Sequence, residues 1–153
     1  MNVQKFLQKS GVPFRFIERK DTLATLSEMG MIPGTGPQLA KSVLLRTETD
    51  YVLVVLPMTH RIDLMRVREA LAVEEVQIAD DSELICQCGL HNHRLLHPFG
   101  SQFGLKTVID QSLAFQNTFA FSGFSDRFCI CMRGSDYRSL ENPIVGAFAE
   151  PVS

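Results

Sequence analysis

A single α+β domain, with a mixed β-sheet and helices packed outside it, is the fold this sequence predicts, and three observations lead there. At 153 residues the chain fits one domain, 1–153, and is long enough for a real hydrophobic core. No internal repeat, low-complexity tract or linker rich in Pro, Gly or Ser divides it. Apolar runs of strand length interleave with helical patterns but without a strict βαβ repeat, which argues for a mixed sheet.

The elements follow in order. Val3, Phe6 and Leu7 recur at helical i, i+3, i+4 spacing, and Gly11 suits the left-handed conformation that ends a helix. Phe14 and Phe16 alternate as in a short strand. Residues 22–29 read as a second helix, followed by the breaker-rich segment 32–37, an ordered loop leading to Lys41. Residues 43–47 and 51–56 are apolar runs on either side of Glu48-Thr49-Asp50, the spacing of a β-hairpin. The second run is continuously apolar, so both of its faces are expected to be covered.

Asp63 is placed to cap a helix whose buried stripe is Leu64, Val67 and Leu71, with Ile62 packing on Val67. Val76 and Ile78 make a short strand, and Asp80 with Glu83 has capping-box spacing at the start of a helix over 80–86. An irregular loop runs from 89 to 104. Strands follow over 107–110, 117–122 and 127–133, the last with Phe128, Ile130 and Met132 on one face and Cys129 and Cys131 on the other. Ser135 or Asp136 caps a final helix reaching Leu140.

Composition excludes several function classes. A net charge of −2 with 21% charged residues gives no strong nonspecific attraction to nucleic acid. An RNA partner would need a local basic patch, from Arg15, Arg19 and Lys20 or from Arg61, Arg66 and Arg68; solvated surface charge is the ordinary reading of both clusters. The first residues lack the apolar core of a signal peptide and no run approaches a membrane span, so a cytoplasmic location without a membrane partner is expected. Four cysteines at this length point to free thiols.

The stretch Gln38-Leu39-Ala40-Lys41-Ser42-Val43-Leu44-Leu45 brings one lysine to the mouth of an apolar run with no acidic residue nearby in sequence. Such a lysine seeks an anion from outside the chain, or else it is a strand-end lysine that snorkels to solvent. Downstream stand Tyr51 to Pro57, His60-Arg61-Ile62-Asp63-Leu64, Pro98-Phe99-Gly100, and the run from Gly104 to Leu113. In this order and spacing the chain resembles the YbaK family over about residues 1–140. That domain is associated with aminoacyl-tRNA synthetases and is related to the editing domain of bacterial prolyl-tRNA synthetase.

The resemblance implies a curled, barrel-like mixed sheet enclosing a small pocket that deacylates tRNA mischarged with a small amino acid such as alanine or cysteine. The chain is too short to hold a synthetase catalytic domain as well, so editing would occur in trans. The implied partners are the aminoacyl-tRNA acceptor end and an aminoacyl-tRNA synthetase, with no DNA, no metal and no cofactor. By resemblance Lys41 lies at the pocket mouth, where it holds phosphate or ribose near the ester, and Asp110 and Ser112 line the pocket as catalytic residues. A helix cap is the alternative reading of those two. Arg94, His97, Pro98, Phe99 and Gly100 form the implied substrate-binding loop.

Ester hydrolysis needs a positioned water, polar groups for the developing oxyanion and an anchor for the nucleic acid, so neither a metal nor a triad is required. Editing exists because a methylene-sized difference gives a synthetase only about 1–3 kcal/mol of discrimination. The sequence departs from the family at one point. Editing members carry a Gly-x-x-x-Pro loop, whereas Arg94 stands four residues before Pro98, and a side chain there blocks the close backbone approach that glycine permits. The alternative function is therefore a noncatalytic module that keeps the pocket and binds tRNA, an amino acid or a protein.

Cys86, Cys88, His91, His93 and His97 fall within one short stretch, but Cys-x-Cys is not a common structural zinc spacing, and ordinary loop or core residues are the preferred reading. Ser112, His97 and Asp110 make a hydrolase triad on paper, without the Gly-x-Ser-x-Gly elbow that would support it. Phe115, Phe119, Phe121, Phe124 and Phe128 are expected to pack in the core in preference to forming a partner patch. No P-loop or dinucleotide fingerprint is present.

Overall fold

Helix α1 (Val3–Ser10) buries Val3 and Leu7, and Gly11 follows it at φ 74°, as the spacing predicts. The computed structural model describes residues 3–18, 38–122 and 128–151, so the expected helix over 22–29 and the loop over 32–37 lie outside the described residues. The remaining order is β1 (Phe14–Glu18), β2 (Gln38–Thr47), β3 (Tyr51–Pro57), β4 (His60–Ile62), α2 (Leu64–Leu71), β5 (Val76–Ile78) and α3 (Asp81–Cys88). After two 3-10 turns come β6 (Lys106–Asp110), α4 (Gln111–Ala114), β7 (Thr118–Phe121), β8 (Phe128–Arg133), α5 (Gly134–Glu141), β9 (Ile144–Gly146) and β10 (Ala149–Pro151).

One eight-stranded mixed sheet has the order β1-β8-β7-β2-β3-β6-β9, with β5 added on β2, and β10 pairs with β4 in a second small sheet. The β2/β7, β3/β6 and β6/β9 pairs are parallel and the others antiparallel. The α+β expectation thus holds. The hairpin forms where the sequence places it, and its polar turn satisfies itself. Thr47 Oγ1 accepts the Thr49 and Asp50 N–H groups at 3.3 and 2.9 Å, and Asp50 Oδ1 accepts that of Tyr51 at 2.8 Å.

Strand β3 lies between β2 and β6, and residues 52–57 are all buried. Leu53 and Val55 join the larger core with α1, α3 and α5, while Val54 and Leu56 join the core that α2 covers through Val67. Each such side chain contributes about 1.5–3 kcal/mol by leaving water, and its alternation between two cores explains the unbroken apolar run.

Asp63 accepts the Arg66 N–H at 3.2 Å, and Asp80 and Glu83 make the full capping box, both as their spacing predicts. The start of α5 differs from expectation. It opens at Gly134, directly after β8, with no side-chain cap, and Asp136 instead meets Arg133 at 3.0 Å. The helix starts before the expected caps, so Ser135 and Asp136 fall inside its first turn and the cap position belongs to Arg133; the Gly134 N–H donates to Asn117 O at 2.9 Å, and a Cβ at Gly134 would lie 2.3 Å from Gln116 O. The 89–104 loop is also more regular than expected, with 3-10 turns at His93–Leu95 and Gly100–Phe103.

Gly100 closes that loop against β6. Its N–H donates to Thr107 Oγ1 at 3.1 Å, and Thr107 donates in turn to Glu141 Oε2 at 2.6 Å. A Cβ at Gly100 would fall 2.2 Å from Thr107 Oγ1 and 3.2 Å from Leu105 O. We expect Gly100→Ala to lower stability by about 2 kcal/mol through overpacking. An unchanged denaturant midpoint would show that the loop yields without cost.

Candidate functional site on strand β2

Period-two alternation splits β2 between the two cores. Ala40 and Leu44 belong to the larger one, and Ser42 alternates with them, whereas Val43 and Leu45 face the other. Lys41 shares the second face. It lies opposite Leu56 of β3, and since Val55 pairs with Ile109, Leu56 is level with Asp110, which pairs with Gly146. Lys41, Leu56, Asp110 and Gly146 therefore form one row across four strands. With strands spaced about 4.8 Å apart, the Lys41 and Asp110 backbones are roughly 10 Å apart.

Lys41 is half-buried, and burial lowers its ammonium pKa. No carboxylate among the described residues pairs with it. Its place inside a strand, three residues from the start of β2, fixes its backbone more firmly than the expected strand-end position.

Asp110 is 4% exposed and its carboxylate is fully engaged. Oδ1 accepts the Phe148 and Ala149 N–H groups at 2.8 and 3.0 Å; Oδ2 accepts the Ser112 N–H at 3.1 Å and the Ser112 hydroxyl. Asp110 is thus the N-cap of α4 and also ties β6 to the segment that leads into β10. The cap was legible as an alternative. The contacts to 148 and 149 were not, because nothing local links residues so far apart.

His97 is 3% exposed, with its ring stacked on Phe103 at a centroid distance of 4.7 Å. Its Nδ1 accepts the Phe99 N–H at 3.2 Å, which leaves the proton on Nε2. Burial pushes its pKa down to about 4. Three buried polar atoms have no partner among the described residues: Ser42 Oγ, His93 Nε2 and His97 Nε2. The 3-10 turn that contains His93 packs on β2. Buried polar atoms are normally bonded, so this strand and this loop hold hydrogen-bonding capacity that a ligand or water can use. His93 was noted from sequence only within the Cys/His stretch, and Ser42 was not singled out, although a serine sharing the face of Ala40 and Leu44 in an apolar run was the available signal.

Pro98, Phe99 and Gly100 hold the loop in place. The Tyr137 hydroxyl donates to Pro98 O at 2.6 Å, and the buried Phe99 ring lies 5.1 Å from those of Phe6 and Tyr137 and 5.8 Å from that of Phe121. Arg94 occupies the middle of the His93–Leu95 turn. Ala72 and Asn142 are the non-glycine residues at positive φ among the described residues, so the backbone at 94 is not one that demands glycine.

The paper triad is not assembled, since Ser112 gives its hydroxyl to Asp110 and His97 Nδ1 takes the Phe99 amide. Among the described residues no three His, Cys, Asp or Glu side chains converge as metal ligands. Cys86 is exposed, and burial raises the Cys88 thiol to about 11. In the middle basic cluster Arg61 meets Glu150 at 2.7 Å and Arg66 meets Asp63 at 3.3 Å, while Arg19 and Lys20 lie outside the described residues. Phe119 and Phe121 are core residues, but Phe115 is 71% exposed, which departs from the core expectation; Phe124 lies outside the described residues.

A family model described as the aminoacyl-tRNA editing domain matches residues 20–140. The chain belongs to that family. No curated protein matches this editing domain significantly. Among solved structures, a candidate trans-editing enzyme for prolyl tRNA synthetase is similar at 17% identity and a TM-score of 0.76, over 97% of this chain and 94% of that one. A hypothetical protein aligns at 15% identity and a TM-score of 0.79, over 97% and 99%. A candidate signal transduction protein from Marinobacter aquaeolei VT8 aligns at 17% identity and a TM-score of 0.71 over 96% of this chain, which spans 30% of that longer one. At these identities the likeness shows the editing-domain fold. No described helix of the editing domain is long and apolar enough to cross a membrane.

Proposed function

We propose that this chain is a trans-acting hydrolase, one domain over its whole length, that deacylates tRNA mischarged with a small amino acid in the cytoplasm. The observation that carries this reading is Lys41: a half-buried ammonium, fixed within a strand of an editing domain and unpaired with any carboxylate among the described residues. An anion held there gains more from the charge than it would from an exposed lysine, because the surroundings screen less. The phosphate or ribose of the tRNA terminus is the anion or polar group we assign to it, with a synthetase as the source of the mischarged tRNA.

Water then adds to the ester carbonyl, the ribose oxygen leaves, and the developing oxyanion is held by hydrogen-bond donors. The Ser42 hydroxyl and the Nε2–H of His97, buried donors without a partner among the described residues, belong to the opposite face of β2 from Lys41 and are not assigned to this oxyanion. Asp110 and Ser112 receive a positioning part. The Asp110 carboxylate spends its acceptor positions on four hydrogen bonds within the fold, and it holds β6, α4 and the C-terminal segment in register. Arg94 and the Pro98-Phe99-Gly100 segment supply the loop that closes over β2.

The test is hydrolysis of a panel of tRNAs carrying alanine, cysteine, serine or proline, comparing wild type with Lys41→Ala. Loss of one transition-state contact to a charge predicts a fall of at least tenfold for the preferred member. No hydrolysis above buffer by folded protein would overturn the enzyme and favour the second reading, a binding module, for which Arg94 in place of the loop glycine is the supporting observation.

A further inference from the structure

The registers of β2, β7, β8 and β1 place Lys41 on the same sheet face as two arginines. Leu39 lies beside Ala120, Ala120 beside Cys131, and Cys131 beside Arg15; Thr118 lies beside Arg133. Since alternate residues of a strand share a face, Lys41, Thr118, Arg133 and Arg15 all stand on that one face. No described Asp or Glu of these four strands shares it. Arg15 and Arg133 are exposed. The distance from Lys41 to Arg15 is about 16 Å, three strand spacings across and two residues along.

Two grooves that share Thr118 and Arg133 continue this line. One, of 370 Å³, is lined by Pro13, Phe14, Arg15, Thr118, Cys131, Met132 and Arg133. The next, of 290 Å³, runs past Arg133 to Arg138 and the exposed Phe115. The Arg138 guanidinium lies 5.5 Å from the centre of the Phe115 ring and also donates to Ala114 O. Neither lining contains a carboxylate; Asp136 pairs with Arg133 from α5 at 3.0 Å, leaving that guanidinium further donors. Positive charge along a groove beside an exposed aromatic ring is how proteins hold single-stranded nucleic acid, with phosphates on the cations and a base on the ring.

We propose that this groove is the track for the single-stranded 3′ segment of tRNA, with Arg15 and Arg133 on phosphates and Phe115 as a stacking platform. The inference rests on the tRNA reading above and adds a contact surface for the RNA apart from Lys41, since Ala120, Cys129 and Cys131 on the face between them are buried. The measurement is binding of intact tRNA, and of tRNA trimmed of its single-stranded 3′ terminus, across a salt series. For wild type, trimming is expected to weaken binding at least tenfold. Arg15→Gln with Arg133→Gln is expected to weaken intact tRNA at least tenfold and to reduce the slope of log affinity against log salt by about 1.4, two single-strand phosphates' worth.

Arg15→Lys with Arg133→Lys keeps the charge and is expected to restore most of the binding, which separates charge from damage to the fold. Phe115→Ala is expected to cost about tenfold without changing the slope. Equal binding by wild type and the Gln variant, or equal binding of intact and trimmed tRNA, overturns the track. So does a polyglutamate peptide that binds as tightly as tRNA, which would make the groove a docking surface for an acidic protein segment. Wild type that binds tRNA in this manner but hydrolyses no ester sinks the hydrolase and leaves the track standing; hydrolysis with binding indifferent to the arginines sinks the track alone.

Discussion

Asp110→Ala is expected to destabilise the fold by about 3–5 kcal/mol, the range for removing the acceptor of several buried donors at once. The carboxylate takes three backbone N–H groups and one hydroxyl, and alanine would leave the N–H groups of Phe148 and Ala149 without acceptors beside a 2% exposed phenylalanine. Ser112→Ala removes a single donor to the same carboxylate and should cost about 1 kcal/mol. Urea unfolding of the two variants checks the contrast. Equal midpoints for both would mean that the Asp110 contacts to the C-terminal segment contribute nothing, and a lowered m-value would mean that the segment had already detached in the native state.

The second large effect is on pH. The folded state holds His97 neutral to about 4 against 6.5 for the free side chain, because burial disfavours the charged ring. Above pH 6.5 this has no consequence. As pH falls through 6.5 the unfolded chain takes up a proton that the folded one refuses until about 4, so stability declines across that window by roughly 3 kcal/mol in full. Replacing His97 with Gln, whose carbonyl keeps an acceptor for the Phe99 N–H, should lower stability at pH 7 yet flatten the decline between pH 7 and pH 4. Parallel curves for wild type and variant would overturn the assignment. At neutral pH the buried ring therefore carries no charge.

Long-patterned elements were legible in the sequence because their signals are local. The β2–β3 hairpin, the Asp63 cap and the Asp80–Glu83 box each rest on residues a few positions apart. What was not legible is held by distant partners. β9 and β10 are short and half-exposed, and they become strands by pairing with β6 and β4. The cap expected at Ser135 or Asp136 fails because the helix already begins at Gly134, directly after β8, which leaves both residues inside its first turn. Lys41 was singled out for its lack of sequence neighbours of opposite charge, and the structure adds the reason that matters, its place in a row across the sheet. Ser42 escaped notice, and His93 was noted only as one of a Cys/His stretch, because an orphaned hydroxyl or ring nitrogen is defined by what fails to surround it, which no linear spacing encodes.

The position of β3 also governs how the chain acquires its shape. During synthesis the β2–β3 hairpin emerges first, with apolar side chains on both faces, but β6, the parallel neighbour that seals its open edge, follows only after residue 105. β7, which pairs with β2 on the other side, begins at Thr118. Closing such separated parallel pairings is slow compared with forming hairpins and helices. A ribosome-bound fragment ending near residue 100 thus carries a sticky, half-sheathed hairpin, and the domain becomes resistant to aggregation only when its last third has been made.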